Sequence, residues 1–65
     1  MRIEVNGKTL EARARTLAEL LAELDYDERH VATALNRDFV RRDARAGAEL
    51  KDGDAVEIVS PRQGG

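Results

Sequence analysis

Few groups among the 65 residues could do chemistry, and most of them lack a second member. His30 is the sole imidazole, and with no cysteine and no G-x-S-x-G turn in the chain, neither a nucleophilic triad nor a histidine metal site can be assembled around it. The carboxylates Asp25, Asp27 and Glu28, and again Asp52 and Asp54, miss the twelve-residue calcium-loop spacing and sit in turn-rich segments where aspartate is common. Asn6-Gly7 and Asp52-Gly53 are turn pairs and belong to no phosphate-cradling glycine pattern. What remains is Ser60-Pro61-Arg62-Gln63-Gly64-Gly65. Two glycines at a chain end arise by chance in about one chain in 200. Six extended residues reach about 20 Å, and glycine, with no Cβ, passes through a channel closed to other residues. Gly64 would thread such a channel and Gly65 would present its α-carboxylate in another protein's active site. With a pKa of about 3.5 that carboxylate is ionised at neutral pH and is a poor electrophile until it becomes a mixed anhydride. A separate ATP-using enzyme must then activate it, with this chain as the substrate and Gly65 as the reacting residue.

The size of the chain agrees with that division of labour. A 65-residue chain buries only about 60% of the surface its unfolded form exposes, which allows one two-layer core and no deep catalytic cleft. A self-contained enzyme is not expected. The absence of cysteine removes disulfides, thiolate zinc sites, iron–sulfur clusters and cysteine nucleophiles together. The charged fraction of 37% and hydrophobic fraction of 42% suit a globular domain. No apolar run approaches the length of a membrane span and the N-terminus has no signal-peptide core, so the expected compartment is the cytoplasm. The net charge of −2 argues against a general nucleic-acid binder. The charges are segregated. Glu19 to Glu28 holds five acids and no base, and Arg37 to Arg45 holds four arginines against two aspartates, so they decorate solvated faces or orient a protein partner.

The elements that must position the C-terminus follow from changes of period. Arg2-Ile3-Glu4-Val5 alternates polar and apolar, Asn6-Gly7 suits a type I′ turn, and Lys8 to Arg13 resumes the alternation, which predicts a β-hairpin. Thr16 with Glu19 three residues on forms a capping box, and Leu17, Leu20, Leu21 and Leu24 recur at helical spacing, so a helix is predicted from about Leu17 to Leu24. No glycine follows to close it, and Asp25 to His30 reads as a loop. Val31 to Leu35 predicts a strand whose buried face the pattern leaves open; Phe39-Val40 predicts an edge strand or bend. Asp43 to Glu49 is a connection with room for one helical turn, Lys51-Asp52-Gly53-Asp54 a turn, and Ala55 to Val59 a final strand with Val56 and Ile58 on one side. Pro61 ends it.

One helix against four or five strands makes an α+β domain. After the hairpin the helix must cross over to return the chain to the sheet, and a compact solution lays the last strand parallel to the first in the sheet's centre. That is a ubiquitin-like β-grasp over residues 1–59, with 60–65 expected as a flexible Gly-Gly tail.

The chain resembles the ThiS family, the sulfur carrier proteins of thiamine biosynthesis. The resemblance is carried by Ile3-x-Val5-Asn6-Gly7, Thr16-Leu17-Ala18-Glu19-Leu20-Leu21, Val31-Ala32-Thr33-Ala34-Leu35-Asn36, Phe39-Val40, Leu50-Lys51-Asp52-Gly53-Asp54-x-Val56-Glu57-Ile58 and Gln63-Gly64-Gly65, in that order. Asp25 stands where a helix-ending glycine is common, Arg37 where glycine is frequent, and Arg41-Arg42 in place of a Pro-Arg pair. The resemblance implies that a ThiF-like, E1-like enzyme adenylates Gly65 with ATP, and that a cysteine desulfurase or similar donor supplies sulfur to form a thiocarboxylate. A ThiG-like thiazole synthase would then take that sulfur. No cofactor would be bound by the chain itself. Val59, Arg41, Arg42, Arg62 and Gln63 are the candidate partner contacts. A molybdopterin-synthase small subunit or another ubiquitin-like sulfur carrier shares the Gly-Gly chemistry, whereas an RNA-associated β-grasp binding module would not need the terminal glycines.

Overall fold

A computed structural model describes residues 1–60. The expected tail of residues 60–65 lies outside the described residues except for Ser60. Strand β1 (Arg2–Val5) turns through Asn6 and Gly7, both at positive φ (51° and 85°), into β2 (Lys8–Glu11), as a type I′ hairpin requires. The pairing continues past both strands. The Met1 amine donates to the Ala12 carbonyl at 2.8 Å, and the Ala12 N–H donates to the Met1 carbonyl at 2.8 Å.

Helix α1 (Leu17–Glu23) is fixed at its start by the predicted cap: the Glu19 N–H donates to Thr16 Oγ1 at 3.2 Å. The Glu19 carboxylate accepts from the Arg15 N–H at 2.8 Å, one residue before the position a standard capping box uses. From the other end of the helix Glu23 reaches back and accepts from Ala14 N at 2.9 Å and Arg13 N at 3.1 Å, tying the incoming chain to the helix. The helix ends one residue earlier than its leucine spacing predicts, because Asp25 takes the left-handed conformation at φ 65° and does the work of the missing glycine.

Strand β3 (Ala32–Leu35) begins one residue later than predicted and buries Thr33, with Val31 and Leu35 half-buried on the same side, which settles the face the sequence left open. Strand β4 (Asp38–Val40) forms the expected edge. The following connection is a 3₁₀ segment, Arg42–Gly47, and so holds more helix than the single turn expected. Strand β5 (Ala55–Val59) closes the chain.

The sheet order is β2-β1-β5-β3-β4, with β5 parallel to β1 and antiparallel to β3. The last strand therefore lies in the centre of a five-stranded mixed sheet, the β-grasp arrangement that the period changes imply. Ile3, Val5, Val56 and Ile58 from one face of the sheet pack with Leu17, Leu20 and Leu21 of the helix and with Leu50. Leu17 and Leu20 have no exposed surface.

Candidate functional site

Strand alternation that buries Val56 and Ile58 sends Glu57 and Val59 to the opposite, outer face of β5. Val59 is 60% exposed although it is a β-branched apolar residue, one position before the chain leaves the sheet. The register sets Val59 opposite Ala32 and Glu57 opposite Ala34, and sets Phe39 of β4 on the other side of Ala34. Phe39 is 71% exposed. Ala32 and Ala34 thus form a shallow floor between two uncovered apolar side chains, and this outer face surrounds the exit of β5. With Met1, Phe39 and Val59 are the exposed large apolar residues among the described residues. The sequence places Phe39 only in an edge strand or bend. Its alternation with Val40, which packs against the core, was the signal that placed it outward.

The two predicted arginines behave differently from each other. Arg41 follows β4 at the same end of the sheet as Val59 and pairs with Asp43 at 3.1 Å. Arg42 makes a two-pronged ion pair with Glu28, both bonds at 2.8 Å. Each pair is solvent-exposed and so weakly held, and a partner's carboxylates could exchange for them at little cost. Together Glu28, Arg41, Arg42 and Asp43 line a shallow depression beside the 3₁₀ segment. Arg62, Gln63, Gly64 and Gly65 lie outside the described residues.

Arg45 departs from the expected solvated role. It is only 3% exposed, and its guanidinium donates to Thr33 Oγ1 at 3.0 Å, the Glu28 carbonyl at 2.8 Å and the Val31 carbonyl at 2.7 Å. Thr33 Oγ1 in turn donates to the Val40 carbonyl at 2.9 Å. One side chain thereby fixes the loop before β3, β3 itself and the end of β4, and so sets the neighbourhood of Arg41 and Arg42.

Among the described residues, the remaining titratable groups do not form a reaction centre. His30 Nδ1 lies 3.0 Å from Asp27, and hydrogen bonds from Arg29 hold the Asp27 carboxyl well below the ordinary range on an open surface. Burial raises the Asp54 carboxyl, but the Asn36 amide (3.0 Å) and the Lys51 N–H (2.7 Å) outweigh it and leave the group lowered. Among the described residues no group of three or more histidines and carboxylates is set to hold a metal. No helix of the described residues is long and apolar enough to cross a membrane.

Comparison with known proteins agrees with this geometry. The chain is 34% identical over 61 residues to the sulfur carrier protein ThiS of Thermus thermophilus, covering 94% of this chain and 95% of that one. Its fold matches the crystal structure of the thiamine biosynthesis protein ThiS from Geobacter metallireducens with a TM-score of 0.82, at 35% identity and full coverage of both chains. The solution structure of a thiamine biosynthesis protein from the same organism gives a TM-score of 0.81 at 35% identity, covering all of this chain and 88% of that one. The ThiS family model matches residues 2–65, which spans both strands that frame the outer face, the exit of β5 and the terminal Gly64-Gly65: the chain belongs to the ThiS family.

Proposed function

We propose that the chain carries sulfur as a thiocarboxylate on Gly65 and delivers it for thiazole formation in thiamine biosynthesis. The observation that carries this reading is the uncovered apolar face of Val59 and Phe39 at the root of a segment ending in Gly64-Gly65. An oxygen of the Gly65 carboxylate attacks the α-phosphorus of ATP on an E1-like, ThiF-like enzyme, and pyrophosphate leaves. A sulfur nucleophile, drawn from a cysteine desulfurase or similar donor, then attacks the acyl carbon and AMP leaves; where the sulfur arrives as a persulfide, a second thiol cleaves the S–S bond. The thiocarboxylate passes its sulfur to a ThiG-like thiazole synthase. ATP belongs to the activating enzyme, which places the encounters in the cytoplasm, and the carrier itself binds no cofactor.

The division of labour suits the molecule. The described residues hold neither a nucleophile set beside a base nor a phosphate loop, so the partners supply the cleft and this chain supplies the reacting carboxylate. Val59, Phe39 and Arg41 would dock on the adenylating enzyme while Arg62, Gln63 and Gly64 thread toward its active site, with Arg42 at the margin through its exposed pair with Glu28.

Intact mass after incubation with ATP, the E1-like enzyme and a sulfur donor tests the reading. Exchange of the terminal oxygen for sulfur adds about 16 Da at Gly65. Deleting Gly65 should abolish both the adenylate and the mass gain. Wild-type protein that yields neither product would overturn the carrier function, and unchanged binding of another macromolecule by the Gly65 deletion would favour a binding module.

A further inference from the structure

Strand β5 loses its backbone partner on one side at Val56, three residues before it ends, because β1 turns away at Asn6-Gly7. From Asp54, just before β5, the even-numbered residues turn their backbone groups to β1: the Glu4 N–H donates to the Asp54 carbonyl and the Asn6 N–H to the Val56 carbonyl, both at 2.9 Å. Beyond Val56 there is no more β1 backbone to pair with. The Asn6 side chain takes its place. Its Oδ1 accepts from the Ile58 N–H at 2.8 Å and its Nδ2 donates to the Ile58 carbonyl at 3.1 Å, so the amide imitates one further strand residue. The turn alone does not demand this residue, since glycine serves equally well at a centre with φ 51°. The side chain is therefore the part that calls for asparagine.

We propose that Asn6 is a positioning residue for the reaction at Gly65: its amide forms the last rung on the β1 side of β5 and fixes the direction in which the chain leaves the sheet. On the opposite side β3 pairs with β5 through Ala32↔Val59, so Ile58 is held on one side by Asn6 and the strand on the other by β3. Five residues beyond Ser60 reach at most about 17 Å, and a swing of about 10° at the root displaces their end by about 3 Å. Reactions of a positioned group tolerate about 1 Å. Once the segment is inside a partner's channel, the channel holds it. The root therefore acts on entry, through the effective concentration of the terminus at the channel mouth while the Val59 face is docked.

This inference rests on the carrier reading, and its test separates the two. Asn6→Gly keeps the turn conformation and removes both rungs; Asn6→Asp, which also tolerates the left-handed region, keeps the acceptor for the Ile58 N–H but sets a carboxylate oxygen against the Ile58 carbonyl, and its KM is read if the first variant does not fold. Adenylation by the E1-like enzyme is measured with each, alongside Thr16→Ala, which removes the N-cap of α1, makes no hydrogen bond to Asn6 or β5, and is chosen to lower stability comparably. The expected result for Asn6→Gly is a KM raised about 3- to 10-fold with kcat within about twofold, and a KM unchanged by Thr16→Ala. Hydrogen exchange at the Ile58 amide should accelerate at least about tenfold while the β5 amides facing β3 keep their protection. An unchanged KM for the Asn6 variants, or an equal rise for Thr16→Ala, would overturn the positioning role and leave the carrier function standing. Wild-type protein that is never adenylated would instead overturn the carrier function.

Discussion

Arg45 holds three stretches of backbone with one guanidinium and does so without a carboxylate partner. A buried cation is costly unless it is hydrogen-bonded, and here each of the three nitrogens of the group has a carbonyl or hydroxyl oxygen within 3.0 Å. Arg45→Ala would leave those oxygens facing a void, and is expected to cost about 2–4 kcal/mol, a fall in Tm of at least about 10 °C by calorimetry. Arg45→Met keeps most of the volume and should recover little of the loss, since the bonds outweigh the packing. Asp54 contributes at the same scale. Its folded pKa is lowered, so the stability it adds is fully present above the unfolded value of about 4 and is lost as pH falls through the folded value. Asp54→Asn should therefore be less stable than wild type at neutral pH and should lack that acid-side loss, which denaturant midpoints measured from pH 7 to pH 2 would reveal.

At the scale of elements, the two hairpins are built alike but differ in one residue. Asn6-Gly7 places glycine at the second centre; Asn36-Arg37 places arginine there at φ 75°, a left-handed conformation that costs a residue with a Cβ. Arg37→Gly is expected to stabilise the fold by roughly 0.5–1 kcal/mol, read as a higher urea midpoint with an unchanged slope. The first hairpin and the helix were legible in the sequence because each is decided locally, by alternation, by Asn-Gly and by the Thr16–Glu19 cap; the second was not, because Asn36-Arg37 lacks the glycine, and its strands read only as a strand and an edge strand or bend. Helix end and 3₁₀ segment were less so. Asp25 supplies a left-handed residue from a type that does so only at some cost, and the Arg42–Gly47 segment is held by the buried Arg45 more than by its own propensities.

At the scale of the whole molecule, the sheet has a helix-covered face and an outer face that is polar apart from Phe39, Val59 and the alanines between them. Val59→Asp should weaken docking on the adenylating enzyme by about 1–2 kcal/mol, roughly a tenfold rise in KM. Because Val59 is mostly exposed, its stability should change by less than about 0.5 kcal/mol. A fall in Tm large enough to account for the kinetic change would show that Val59 belongs to the core. Steady-state kinetics and a thermal melt on the same preparation decide between these outcomes.

The sequence by itself determined the strand and helix periods, the capping residue and turn pairs, the lack of any cysteine or second histidine, and the Gly64-Gly65 pair on which the proposed chemistry rests. These depend on residue type and short spacings alone. Only the tertiary structure decided that Thr33 faces inward, that Phe39 and Val59 share one uncovered face across Ala32 and Ala34, that Arg45 is buried, and that Asn6 reaches Ile58 across 52 residues of chain. Each of these needs a strand register between distant segments. Register is set by how two strands pair in three dimensions, and a shift of one residue would exchange every inward side chain for an outward one.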